Sequence, residues 1–131
     1  MKSLFPFFAV TDDVVVRAAV SFLPDQSQPA NSRWFWAYHV RIENEGDEPV
    51  QLLSRRWSIT DGRGEIQHVE GEGVIGEQPV IHPGASYDYV SGCPLATPTG
   101  VMEGHYNMVA ADGRMLRVAI PRFALVAPSE E

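Results

Sequence analysis

One cysteine, Cys93, is all the thiol in this chain of 131 residues. An internal disulfide is therefore excluded, and so is a set of thiolates at zinc-site spacing. No run approaches the roughly 20 apolar residues that a membrane-spanning helix requires. The opening Met1 to Val10 is apolar, but Pro6 breaks it, and Thr11-Asp12-Asp13 follows where a signal peptide would carry a small-residue cleavage site. A reducing, cytoplasmic setting is the expectation. Positive charge is also scarce, with 10 Lys and Arg against 17 Asp and Glu and a net charge of −7. A mean field of that sign repels nucleic acid and anionic lipid, so neither is an expected partner. Internal repeats, linkers and low-complexity tracts are missing too. The length suits one domain over 1–131, with a core across about 14–125 and ends, Met1 to Phe8 and Ser129 to Glu131, that are expected to fray.

What the chain does have is apolar material, 44% of its residues, and eleven glycines and ten prolines spread along its length. Many short elements separated by turns follow from that. Val14, Val16, Ala18, Val20 and Phe22 alternate with more polar neighbours, as in a half-buried strand. Trp34, Trp36, Tyr38, Val40 and Ile42 do the same along a longer β-favouring segment. Asn44 to Pro49 supplies turn residues before a strand from Val50 to Thr60, and the spacing predicts a hairpin between the two. Within that strand the apolar parity slips between Leu52-Leu53 and Trp57, which predicts a β-bulge. Asp61-Gly62-Arg63-Gly64 turns into a strand over Glu65 to Glu70, and further strands are expected at Ser86 to Ser91, Glu103 to Ala111, Met115 to Ile120 and Arg122 to Ala127. Met102, Tyr106 and Val109 have helical spacing, but Gly104 and Asp112-Gly113 favour strand. Seven to nine short strands without a convincing helix predict an all-β, two-sheet antiparallel sandwich. Tyr106, two residues before the core position Met108, matches a tyrosine corner, in which the hydroxyl bonds back to the backbone.

Four ordered motifs then carry a resemblance. They are Asn44 to Trp57 (NEGDEPVQLLSRRW), Ile59 to Gly62 (ITDG), Gly71 to Pro79 (GEGVIGEQP) and Ser91 to Leu95 (SGCPL). Together they closely resemble the ApaG family, with a match from about Val14 to Leu125. The resemblance implies an immunoglobulin-like or fibronectin type III-like β-sandwich and no established enzymatic activity. It also implies, in bacteria, a genetic link to cobalt resistance, to magnesium efflux and to a diadenosine tetraphosphate hydrolase locus, and in eukaryotes use as an interaction module. On that resemblance a His is expected at the position that Arg56 occupies.

Gly71, Gly73 and Gly76 form a G-x-G-x-x-G, the spacing that brings backbone amides to a pyrophosphate. The dinucleotide fingerprint also needs a helix at its end and an acidic residue about 20 positions later. Pro79 opposes that helix, Asp88 is too near, and Glu72 and Glu77 repel phosphate, so a glycine-shaped loop between strands fits better. Arg55, Arg56 and Arg63 are the candidates for anion recognition, since guanidinium matches phosphate or carboxylate bidentately. Neighbouring strand residues point to opposite faces, however, which separates Arg55 from Arg56 unless the bulge intervenes. Trp57 is expected in the core. His39, His68, His82 and His105 are dispersed, and Glu43, Glu45, Asp47 and Glu48 read as a solvated turn, so no metal ligand and no cofactor are assigned. Cys93 reads as a small buried hydrophobe, and no nucleophile is expected. Phe5, Phe7 and Phe8 form an apolar patch that covers the domain itself, a dimer contact or a partner site.

The sequence thus predicts a non-enzymatic binding module for a protein partner, a monomer or weak homodimer, with a contact surface at Arg55, Arg56, Arg63, Gly71, Gly73, Gly76, Glu77 and Gln78. The alternative is a small-anion sensor that binds pyrophosphate or a dinucleoside polyphosphate at the Gly71–Gly76 loop.

Overall fold

The structure, a computed structural model, describes residues 4–128. Its strands are β1 (Phe7–Thr11), β2 (Val14–Phe22), β3 (Trp34–Asn44), β4 (Val50–Asp61), β5 (Ile66–Glu72), β6 (Val80–Ile81), β7 (Ser86–Leu95), β8 (Thr99–Ala110) and β9 (Met115–Val126). They form two antiparallel sheets, one ordered β1-β2-β3-β7 and the other β5-β4-β8-β9, with the short β6 also paired to β4. The alternation of β3 builds one wall: Trp36, Tyr38, Val40 and Ile42 are buried while their neighbours are only half-buried. Trp57, Leu52, Met102, Tyr106, Met108, Phe123 and Leu125 supply the facing wall. The Trp57 ring meets Tyr38 edge-on at 5.3 Å and Phe123 at 6.1 Å, spacings at which aromatic pairs attract beyond their buried area. Among the described residues no helix is long and apolar enough to cross a membrane.

Three sequence expectations are corrected. Residues 44–49 do not close a hairpin, because β3 pairs with β2 and β7 whereas β4 lies in the other sheet. Buried Asn44 makes this corner, with Nδ2 donating to the carbonyls of Glu48 and Ile81 and Oδ1 accepting from the Gly46 amide. Second, Met115–Val126 is one strand. Pro121 and Arg122 together oppose Glu103, a bulge that admits a residue without an N–H and shifts the buried set from Leu116, Val118 and Ile120 to Phe123 and Leu125. Third, the Tyr106 hydroxyl pairs with that of Tyr89 on β7, so there is no tyrosine corner. In the opening segment Phe5 is buried against His39, and Phe7 starts β1 and packs on Phe123, leaving Phe8 exposed. Met1 to Ser3 and Ser129 to Glu131 lie outside the described residues.

The expected bulge in β4 sits at Leu53, which has no partner on β8 between the pairs Leu52–Met108 and Ser54–Asn107. On its other side β4 is lined in turn by β5, which pairs with Ser54 to Thr60, and by β6, which pairs with Val50 and Gln51. The bulge falls at the gap, and residues 73–79 leave the sheet there.

Candidate functional site

All the predicted contact residues lie on or beside β5. Arg55 and Arg56 face Gly71 and Glu70 across the β4–β5 pairing, Arg63 occupies the turn that enters β5, and Gly73, Gly76, Glu77 and Gln78 form the turn that leaves it. The structure brings them to one edge without making one cluster, since Arg63 and Gly73 stand at opposite ends of the strand. Arg55 and Arg56 project to opposite faces, as the strand period requires, because the bulge precedes both. On the outer face the Arg56 Nη1 donates to Glu70 Oε1 at 2.9 Å, an exposed pair of small energetic weight. Arg55 turns inward, and its Nη1 donates to the Gly73 carbonyl at 2.8 Å and the Glu72 carbonyl at 3.4 Å. Glycine at 71 makes that possible: a Cβ there would sit 2.8 Å from Arg55 Nη1.

The turn itself is tight. Val74 and Glu77 exchange backbone hydrogen bonds, and the two residues between them, Ile75 and Gly76, have φ of +42° and +80°. Positive φ at both central positions is the pattern of a type I′ turn, and a β-branched residue there carries backbone strain. Gly73, at φ +63°, donates its amide to the Leu53 carbonyl, and a Cβ on it would run into the Glu77 carbonyl. The same Leu53 carbonyl accepts from Gln78 Nε2 at 2.9 Å, so Gln78 satisfies the bulge. Glu77 Oε2 accepts from the Tyr87 hydroxyl on β7 at 2.8 Å and ties the turn across to the other sheet. The amides of Gly73, Val74 and Glu77 are thus committed to protein carbonyls.

Two features had no signal in the sequence. Ile75 is 61% exposed in its strained turn, although nothing in the string Val-Ile-Gly-Glu marks it as positive-φ. Trp57 is buried as expected, but its Nε1–H has no partner among the described residues. Cys93 is buried on β7, and burial pushes its thiol up to about 11. Burial, then Arg117 and Arg56, hold the His105 imidazole below its ordinary value. Glu43 pairs with Arg17. Among the described residues no group of three or more His, Cys, Asp or Glu is placed to hold a metal ion.

The comparisons agree with this architecture. A family model described as the ApaG domain matches residues 24–110. Protein ApaG of Rhodospirillum centenum is 52% identical over 119 residues, covering 91% of this chain and 92% of its own length. Protein ApaG of Mesorhizobium japonicum is 49% identical over 120 residues, again 92% of each chain. The crystal structure of an ApaA protein from Bordetella pertussis superposes with a TM-score of 0.86 at 43% identity, over 90% of this chain and 96% of its own. A protein from Archaeoglobus fulgidus, at 8% identity and a TM-score of 0.52, shares the fold alone. By the family model and by identity over nearly its whole length, the chain belongs to the ApaG family.

Proposed function

We propose that the chain is a non-enzymatic binding module that takes a protein partner along the β5 edge and its two flanking turns. The observation that carries this reading is the edge itself. Strand β5 pairs with β4 on one side only, which leaves a row of backbone donors and acceptors for an added strand. Ile66 at its start and Ile75 in the turn beyond it are 60% and 61% exposed, apolar contacts at the two ends of that row. Strain at Ile75 adds support, because a protein keeps a β-branched residue at positive φ against a stability cost. On this reading the family's link to cobalt and magnesium runs through the partner.

The test is a pair of substitutions, Ile75→Asn and Ile66→Lys, in cross-linked capture from the cells that make the protein. Asn tolerates positive φ, so Ile75→Asn is expected to raise stability by about 1 kcal/mol, a few degrees of melting temperature, while weakening capture of a stoichiometric partner roughly tenfold. Ile66→Lys is expected to weaken it as well by blunting the edge. Capture that neither substitution changes, or no partner at stoichiometric yield, overturns the reading.

A further inference from the structure

Strand β5 is an edge that carries charge of one sign. Between Arg63 and Arg114 the sequence holds no Lys or Arg, so the free edges β5 and β7 have neither. On β5 the register sets Ile66, His68, Glu70 and Glu72 opposite Thr60, Ser58, Arg56 and Ser54, which places all four on the outer face with Arg56. Gln67, Val69 and Gly71 take the inner face, where Gly71 makes room for Arg55. Arg56 donates to Glu70, but that side chain stays 65% exposed. Glu65 and Glu72 are exposed, and no ion pair among the described residues includes either. Arg55, the only other cation of β4, bonds to the carbonyls of Glu72 and Gly73 on the inner face. Negative charge along the outer row is thus left unanswered by the fold.

Exposed edges attract strands of other chains, and proteins blunt them with charge, Lys above all. Lys turns away basic segments, whereas carboxylates in the same place turn away acidic ones and admit basic ones. The net charge of −7 extends that preference to the partner's approach. A second copy is disfavoured, because β5 laid on β5 offers Glu70 and Glu72 no Lys or Arg and brings two sets of carboxylates together. Apolar contact remains at Ile66, 60% exposed at the start of the same outer row. We infer that the partner of the β5 edge is a basic extended segment, with two Lys or Arg side chains two residues apart against Glu72 and Glu70 and an apolar side chain four residues further on against Ile66. This rests on the reading of β5 as the edge that takes a partner, and it names that partner's chemistry.

The probe is the peptide Ile-Thr-Thr-Thr-Lys-Thr-Lys-Thr-Thr-Thr-Ile, whose palindromic order fits either strand direction, beside counterparts with Gln or Glu at both Lys positions. The readout is the backbone amide resonances of Ile66 to Glu72 in the whole protein at low salt. The Lys peptide is expected to move them saturably. The Gln peptide is expected to bind roughly tenfold more weakly, the value of two exposed cross-strand charge pairs, and the Glu peptide more weakly still. Glu72→Lys is expected to weaken the Lys peptide roughly tenfold as well. Glu45→Lys, an equal charge change in the exposed corner between β3 and β4, is expected to leave it unchanged. If Glu72→Lys fails to fold, the three peptides on the unaltered protein decide. Equal affinity for the Lys and Gln peptides, or equal losses in the two variants, overturns this inference and leaves the edge open to a strand of any charge. No movement of these resonances with any of the three peptides at about 5 mM overturns it together with the edge reading.

Discussion

Tyr89 on β7 and Tyr106 on β8 join the two sheets through their hydroxyls, 2.5 Å apart in the middle of the core. Both rings are buried, and burial pushes both phenols well above their ordinary value, Tyr106 with the help of its neighbour. Each hydroxyl is then the other's means of avoiding an unpaired polar atom in an apolar interior. Tyr106→Phe or Tyr89→Phe alone strands one hydroxyl and is expected to cost about 1–3 kcal/mol, whereas the double variant strands none and is expected to cost less than the sum. A urea-denaturation cycle measures this coupling; additive losses would mean that water serves the stranded hydroxyl. Burial of Tyr106 was legible from its parity with Met108. Its partner was not, because a strand period tells which face a side chain takes and nothing about the strand opposite. The partnerless Trp57 nitrogen was hidden for the same reason.

Strands were readable wherever one face is dry. The alternating sets in β2 and β3 face the core, buried at Val14, Val16, Ala18, Trp36, Tyr38, Val40 and Ile42 and partly buried at Val20, Phe22 and Trp34, and the parity slip after Leu52 is the bulge at Leu53. Pairing was less readable: Asn44 to Pro49 has the composition of a hairpin turn, yet Asn44 uses its side chain to carry the chain from one sheet to the other. For the candidate site, the opposed directions of Arg55 and Arg56 followed from the period, while the service that Gly71 renders to Arg55 needed the cross-strand register. The glycine motif proves to be the device that detours the edge strand around the bulge. Gly73→Val is therefore expected to act on the detour first, since its side chain meets the Glu77 carbonyl and its φ is +63°. The local cost is expected to be about 2–3 kcal/mol. In hydrogen exchange the amides of Leu52 and Glu77, bonded to Pro79 and Val74, are expected to lose protection while those of the β8–β9 pairing keep theirs. Unchanged protection at Leu52 would refute this role.

The whole molecule is a sandwich with unlike sides. On one side β1 packs against β9: Phe7 lies on Phe123, and the Ala119 amide donates to Thr11 Oγ1 at 3.1 Å. On the other side β5 and β7 remain edges, bridged by Glu77 and Tyr87. The closed side depends on Phe7–Thr11, because β1 is what keeps β2 from being an edge. Strand β2 reads Val-Val-Val-Arg-Ala-Ala-Val-Ser-Phe and carries one charge, a poor composition for an exposed edge. Deleting residues 1–11 is expected to remove the Phe7 contact, to lower stability by several kcal/mol at the scale of a large buried aromatic, and to bare that strand. The resulting protein is expected to associate as its concentration rises, through β2 pairing with β2 of a second copy, while the full chain shows no comparable change over the same range. Sedimentation of the two forms at matched concentrations measures the difference. A second variant, Val15→Lys within the truncated chain, puts a charge on the bared strand and is expected to restore the lower association state. Association that survives Val15→Lys would place the contact elsewhere, on the β5 and β7 edges that both forms share.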